Sequence, residues 1–580
     1  MTRSVFSSTV VSVLLGGLLW AGLSCPAQGQ TLADVIRHSQ RLPAGSGSVT
    51  GQAGAGLSAG LAAPDALFGN PAGLGWLSSS VLSGDLAVNR TRSDTRFTTP
   101  SATTAADRTV SDYRLGSMAG AYSFPTTRGS LVIGASFHQS NTYERGFDVG
   151  APNRRSSITG TFLPENFQLD NAGGKEITFS DIVGSLDGLF PRLAFKAGAI
   201  DFSKTFFENG NYPFVQGAAI NDTSATDGAM TLEQRDHVTE SGQANEISLG
   251  GAVAIAPNVM LGGGLNITFG SYTFERSYRE SDVSTTSQSQ ICPSGLCPPE
   301  NAKNPQPPYD PYFVIDSTKT PALVLEGFRE IQMEERIEAD LSGVNFRFGL
   351  SAKPLEFLKV GGHIKSPTWL SVTEVFGTEM RTQFDCNFAL NTPCPQGGVE
   401  GFSSGNLDSN EFSYNIRTPW RAGIGVQFST SGFTLAGDAT FVDWTQAKVE
   451  AEKDRQVSRS TQRVIERLNR DIQELDATVN TRVGLEYATD AFALRTGVAH
   501  QPSPTEQSFK SIDGKTVNGD QLFFSVGASV SIGRKSTLHL SWMQERFDDR
   551  FASYNSPDGS PTVREALRRN RVLIGFTYRP

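Results

Sequence analysis

Alternation with a period of two is the feature that most constrains this chain. Between Ser342 and Ala352, Val344, Phe346, Phe348 and Leu350 share one parity, and Gly343, Asn345, Arg347, Gly349 and Ser351 share the other. Such a run specifies a strand with one apolar and one polar face. The pattern recurs. Leu261, Leu265, Ile267 and Phe269 oppose Gly262, Gly264, Asn266 and Thr268, and Ile416, Trp420, Ile424, Val426 and Phe428 oppose Arg417, Arg421, Gly423, Gly425 and Gln427. Taken in order, these runs predict about fourteen strands, from near 81–92 to 565–580, with the first two blurred in parity. Every second joint is short, as at Pro125 to Arg128, Ala256 to Asn258 and Gly533-Arg534, whereas the others are long, up to the insert at 142–243. Strict short/long alternation is what a barrel with periplasmic turns and external loops produces; a sandwich or propeller has no reason to sort its loops.

Register gives the direction of the faces. Slipping the Val344–Leu350 run by one residue would put Asn345 and Arg347 into lipid, and an arginine at the bilayer midplane costs about 2–4 kcal/mol. The apolar parity therefore faces outward. The expected fold is all-β, a transmembrane antiparallel barrel spanning 81–580, closed because an open edge cannot be satisfied in hydrocarbon.

Composition removes other classes. Net charge is −9 and the pI about 5.4, so there is no basic field for nucleic acid. Mean hydropathy is −0.25, and past the N-terminus no apolar run is long enough for a spanning helix. Residues 1–29 read as a secretory signal: Arg3, an apolar core from Val10 to Leu23, and Ala27-Gln28-Gly29 as a small-x-small cleavage site. Four cysteines then remain in two close pairs, Cys292/Cys297 and Cys386/Cys394. In an exported protein these predict two local disulfides, and no histidines accompany them for a zinc site.

Ahead of the strands, residues 30–80 have another character. From Gly45 to Leu77 small residues dominate, Asp65 is the one charge, and Pro64 and Pro71 interrupt any helix. This suits a compact plug inside something larger. Within it, Ala59 to Trp76 (AGLAAPDALFGNPAGLGW), including Asn70-Pro71-Ala72, resembles the N-terminal plug of the FadL family of outer-membrane transporters for hydrophobic compounds. Gly349 to Leu370, Arg417 to Gly425 and Val483 to Pro504 are similar to barrel hairpins of that family, so the resemblance covers most of the chain apart from the external loops. It departs at the C-terminus, where Arg579-Pro580 follow Tyr578. The resemblance implies a fourteen-stranded barrel with its plug inside the lumen. It also implies a bacterial outer-membrane location and passive uptake of a hydrophobic ligand, a long-chain fatty acid or similar lipid, by plug movement and lateral release through the wall.

Site residues follow from the same reading. Phe68, Leu74 and Trp76 in the plug region are expected to meet ligand, while Asp65, Asn70, Pro71 and Ala72 shape the plug. In the insert 142–243, Asp181 to Ala197 carries Leu186, Leu189 and Phe190 on one helical face, with Pro191 splitting it into two short helices. That face is either a landing groove for ligand or packing on the barrel rim. Glu450 to Leu475 predicts an external amphipathic helix resting on the mouth. Parity sends Arg347, Arg417, Arg421, Arg482, Arg495 and Arg571 into the lumen, either as an ion-pair lattice or, for Arg347, Arg421 or Arg495, as receptors for a ligand carboxylate.

Gly56-Leu57-Ser58-Ala59-Gly60 fits G-x-S-x-G but lacks a strand–turn–helix context, and six scattered histidines show no metal-ligand spacing. No catalysis, cofactor or metal is expected, and the barrel is expected to be a monomer in lipid. The alternative is a FadL-like barrel that anchors or shuttles secreted proteins, as in type IX secretion.

Overall fold

The computed structural model describes residues 31–43, 45–164, 167, 179–202, 214–216, 218, 231–283, 315–316, 323–386, 399–452, 459–505, 509–510 and 515–580. The signal segment, Cys292, Cys297, Cys394 and the Cys386 side chain lie outside the described residues.

Fourteen strands form one closed antiparallel wall. They are β1 (Val81–Thr98), β2 (Thr103–Ser123), β3 (Leu131–Thr142, continued by Arg145–Asn153), β4 (Leu232–Ala256), β5 (Val259–Asp282) and β6 (Leu323–Leu355). Next come β7 (Leu358–Lys365, continued by Trp369–Cys386), β8 (Val399–Arg417, continued by Arg421–Thr430) and β9 (Phe433–Asp443, continued by Lys448–Ala451). The last five are β10 (Ala477–Ala488), β11 (Phe492–Gln501), β12 (Gln521–Ile532), β13 (Ser536–Ala552) and β14 (Thr562–Tyr578). β14 closes onto β1 over its whole length, with Leu82 opposite Tyr578 and Thr98 opposite Thr562. Short turns join strands at one end, and at the other end β1 and β2 also meet in a short turn, Thr99–Ala102, which corrects the expected strict alternation of joint lengths; among the two-residue turns, Ser431-Gly432 has both residues at positive φ, the geometry that matches strand twist.

Near these turns the outward face is apolar. On β5 the band runs from Leu261 to Phe269, roughly 27 Å of strand or about 21 Å of height at a tilt near 40°, comparable to the ~25 Å band of outer-membrane barrels. Its members are large and exposed, including Ile424 at 69 % and Ile574 at 59 %. Such side chains are stable only against lipid, so the chain is a bacterial outer-membrane barrel.

The strands continue beyond that band, and there the chemistry of the two faces exchanges. On β5, Gly262, Gly264, Asn266 and Thr268 line the inside at membrane level; further along the same inward parity, Tyr272 and Tyr278 are buried, while Glu275 and Arg279 face out. Above the bilayer water is the outer solvent, so apolar residues move inside although the backbone keeps its register.

β7 and β8 make this exchange with the backbone. Ser366-Pro367-Thr368 and Thr418-Pro419-Trp420 interrupt them side by side, and Thr368 and Thr418 bond each other across the gap, at 2.8 and 3.1 Å. Neither proline can donate to the ladder, and side-chain parity changes there. Ile416 is consequently fully buried and Arg417 exposed outside the barrel, which corrects the lumenal position expected for Arg417 from an unbroken alternation. The blurred parity of the second strand has a similar cause, a bulge at Gly116 where β2 passes from Leu115 opposite Leu86 to Ser117 opposite Asp85, whereas β1 keeps one parity throughout.

Ile424→Arg would place a guanidinium in the lipid band. It is expected to destabilise the folded barrel by about 2–4 kcal/mol in reversible unfolding from lipid vesicles, whereas Arg417→Ala should change stability by less than about 1 kcal/mol.

Candidate functional site

Residues 31–80 lie against the inner wall. The segment starts with α1 (Leu32–Ser39), capped reciprocally by Thr31 and Asp34, passes a short α2 (Gly47–Thr50), and ends in two 3-10 turns, Pro64–Phe68 and Pro71–Trp76. Proline opens both turns, where a missing N–H costs nothing. Its backbone approaches the strands so closely that side chains are excluded. A Cβ on Gly361 of β7 would lie 2.7 Å from the Ser58 carbonyl oxygen, one on Gly425 of β8 would lie 2.5 Å from the Ala59 nitrogen, and one on Gly262 of β5 would overlap the Pro71-Ala72 peptide. The glycines on the polar parity of successive strands are therefore the surface on which this segment rests.

Polar anchors fix it in place. The Asn70 side chain donates to the carbonyl oxygens of Ser58 (2.9 Å), Leu350 (2.9 Å) and Gly362 (3.2 Å) and accepts from the Ala72 N–H (3.1 Å), so one amide ties two parts of the segment to β6 and β7. Asp65 accepts from the Ser46 N–H (2.7 Å) and hydroxyl (2.9 Å). Asp438 of β9 accepts from the N–H groups of Gly56 (2.6 Å) and Ser58 (3.0 Å). The G-x-S-x-G string thus serves as a clamp through its backbone N–H groups. Trp76 donates to Ser351 (2.9 Å), with the Lys353 ammonium 4.5 Å from its ring centroid. Leu74 is fully buried against Leu67, Val81 and Val132, and Phe68, half-buried, packs on the His138 ring at 3.7 Å between centroids. Pro71 and Ala72 are buried in the second turn.

Above the two 3-10 turns three cations stand side by side. Arg347 is directly opposite Lys365, and Lys365 directly opposite Arg421, on β6, β7 and β8. Like charges in such a row repel unless an anion intervenes. Glu246 of β4 supplies one, reaching Arg347 at 2.5 Å and Lys365 at 3.0 Å, and Arg347 also donates to the Leu67 carbonyl oxygen (2.6 Å). Arg421 has a different partner, the Ser39 carbonyl oxygen at the end of α1 (2.6 Å), and no carboxylate lies within ion-pair distance of it among the described residues. Arg495 is paired with Glu486 at 2.6 Å and with Ser529, and Arg571 bonds Gln139 (2.6 Å). Arg41, Arg421 and Arg482 sit inside the barrel yet stay partly accessible, so they border an internal space.

Above the cations the inner wall is apolar. Leu341, Leu370, Val372, Ile416 and Val449 from the strands, Val35 from α1, and Ile465, Leu468 and Ile472 from α5 (Arg459–Ile472) make one cluster. The expected external helix thus reaches the lumenal contents directly. Asn469 holds it to the backbone of Val449 through two bonds, 2.9 and 2.8 Å.

Over the mouth, α3 (Phe179–Ser185) and α4 (Leu189–Lys196) are the two short helices expected there, but Pro191 does not divide them. It sits in the first turn of α4, where its missing donor is harmless, and the break falls at Gly188, whose φ is +89°. Leu186 is fully buried and Phe190 packs against the same cluster, together with Phe162, Tyr278, Phe328 and Tyr554, whereas Leu189 remains 38 % exposed. The sequence reading missed this cluster, α1 and Glu246. The first had a signal: the exchange of apolar parity beyond Phe269.

These features define a class, a fourteen-stranded outer-membrane barrel with an N-terminal segment packed inside it. Among solved structures the chain is similar to a FadL homologue from Pseudomonas aeruginosa, with 14 % identity, 93 % of this chain and 99 % of that one covered, and a TM-score of 0.47. It is also similar to the toluene transporter TodX of P. putida (9 %, 93 % and 99 %, 0.44) and to the CymD monoaromatic hydrocarbon channel (9 %, 93 % and 99 %, 0.42). No family model and no curated protein matches the chain.

Glu246→Gln removes the anion shared by Arg347 and Lys365 and leaves two buried cations. It is expected to cost about 3–5 kcal/mol of stability in lipid vesicles. Gly262→Val should displace the Pro71-Ala72 peptide and expose residues 31–80 to added protease, while Gly84→Val, whose Cβ would meet nothing closer than 3.9 Å, should leave the digestion pattern unchanged.

Proposed function

We propose that this barrel takes up hydrophobic small molecules across the outer membrane, with a carboxylated long-chain lipid as the preferred cargo and residues 31–80 as a movable plug. The observation that carries this reading is the apolar cluster packed between α1, α5 and the inner faces of β6 to β9, which ends below on Arg421, a partly accessible cation held by a carbonyl oxygen, so that cargo would enter by displacing the helices from the wall. An aliphatic chain would lie along Leu370, Val372 and Ile416, and its carboxylate would accept two parallel bonds from the guanidinium. Arg347 and Arg495 already hold carboxylates, so their role is to brace the wall. At the mouth, Leu189 and Phe190 offer the first apolar contact, and Leu186 secures the helices beneath them. Release requires the Asn70 anchor to yield, since two of its bonds, to Leu350 and Gly362, go to wall backbone that the plug must leave, and the cargo then departs sideways into the membrane.

Mass spectrometry of ligand carried by the purified protein tests this directly. The expected result is a fatty acid or similar lipid in wild type and its loss in Phe68→Arg. In vesicle uptake, Arg421→Gln should slow a long-chain carboxylate about tenfold and leave the corresponding neutral hydrocarbon unchanged. Absence of any lipid from both proteins would favour the protein-anchoring alternative.

A further inference from the structure

The outside of the barrel above the lipid band is divided by charge. On β13, β14 and β1, Trp542, Val572 and Val88 lie opposite one another in the last apolar row. Four residues further along each strand, Arg546 faces Arg568 and Arg568 faces Arg92. Four residues is about 13 Å of strand, or about 10 Å of height at a tilt near 40°. One step higher again, Arg550 faces Arg564, which faces Arg96, while Arg90 lies between the apolar row and the first arginine row. All share the outward parity of Ile574 and Leu86, and the side chains of Arg568 and Arg92 are 54 % and 50 % exposed.

Directly opposed like charges weaken a sheet, so stability alone gives no reason for this arrangement. The nearby anions are fewer than the arginines and include Asp548, on the outward parity between Arg546 and Arg550. Asp94 reaches Arg92 at 2.8 Å and Arg568 at 3.7 Å, and Asp107 reaches Arg92 at 3.5 Å, whereas Arg546 donates to the Gln544 amide oxygen. The opposite face differs. There Arg279, Arg336 and Arg381, outward on β5, β6 and β7, are matched by Glu330, Glu338 and Glu379. The basic face is therefore a local feature and not a property of the whole exterior.

We propose that the outer face of β13, β14 and β1 docks the phosphate groups of outer-leaflet glycolipid. The row lies on the lipid side of the wall, one headgroup's height above the hydrocarbon. A guanidinium matches phosphate bidentately, and a cluster of basic residues at this level attracts anionic headgroups. The acyl chains of the same molecule would run down the band past Ile574 and Leu86. The proposal rests on the barrel's position in the membrane and is independent of what the lumen carries.

The test uses the full-length protein in detergent and measures retention of bisphosphorylated lipid A, the dephosphorylated lipid and inorganic phosphate by native mass spectrometry and titration. Wild type should retain the bisphosphorylated lipid, weaken with rising salt, and bind the other two at least about tenfold less well. Combined Arg92→Gln, Arg546→Gln and Arg568→Gln substitution should lower retention about tenfold or more. A control with the same charge change on the opposite face, Arg279→Gln, Arg336→Gln and Arg381→Gln, should match wild type. Equal retention by both triple variants, salt-independent binding, or equal affinity for dephosphorylated lipid or free phosphate would overturn the proposal. If the triple variant does not fold, as read by its mobility in unheated gels, the lipid comparison and salt series on wild type decide the question alone.

Discussion

Closure of the hydrogen-bonded wall is the condition on which everything else in this protein depends. A strand in hydrocarbon has no water to satisfy its backbone, so the first strand must meet the last, and β1 pairs with β14 from Leu82 to Thr98. Once the ring is closed its outside is lipid and its inside is an enclosed space of fixed width. The apolar band from Leu261 to Phe269 and its equivalents then follow from the outer solvent. What fills the inside is a separate problem.

That problem is solved by backbone meeting backbone. The segment 31–80 is too rich in small residues to build a core of its own, and the wall meets it with glycines, so peptide groups on both sides come within contact distance. Close approach in turn requires polar pairing. Asn70, Asp65, Asp438 and Ser351 meet backbone or hydroxyl groups that would otherwise be buried alone. The segment is held by directional bonds together with apolar contact where Leu67 and Leu74 pack on Val81 and Val132.

Higher in the barrel the balance reverses. Where water replaces lipid outside, the inward positions include tyrosine, leucine, valine and methionine beside buried ion pairs such as Arg276 with Asp236 and Glu335, and loop helices complete the clusters. The lumen consequently has a polar floor, a row of cations and an apolar upper chamber stacked along one axis.

Much of the fold was legible in the sequence, because period-two alternation and alternating joint lengths report the two solvents and the two ends of a barrel directly. The strand number, the outward parity of Val344 to Leu350 and the inward course of Arg347 and Arg421 could all be read from residues alone. The placement of Arg417 could not, since Pro419 and its neighbour Pro367 reset parity through a backbone break that alternation does not record. Nor could the sequence say which lumenal arginine keeps a carboxylate. Glu246 is about a hundred residues from Arg347, and only the closed wall brings it there while leaving Arg421 to the Ser39 carbonyl oxygen. Local pattern determines which face a side chain takes, because that depends on the solvent next to one strand. The tertiary structure decides which charges meet, because that depends on strands distant in the chain being bent into one ring.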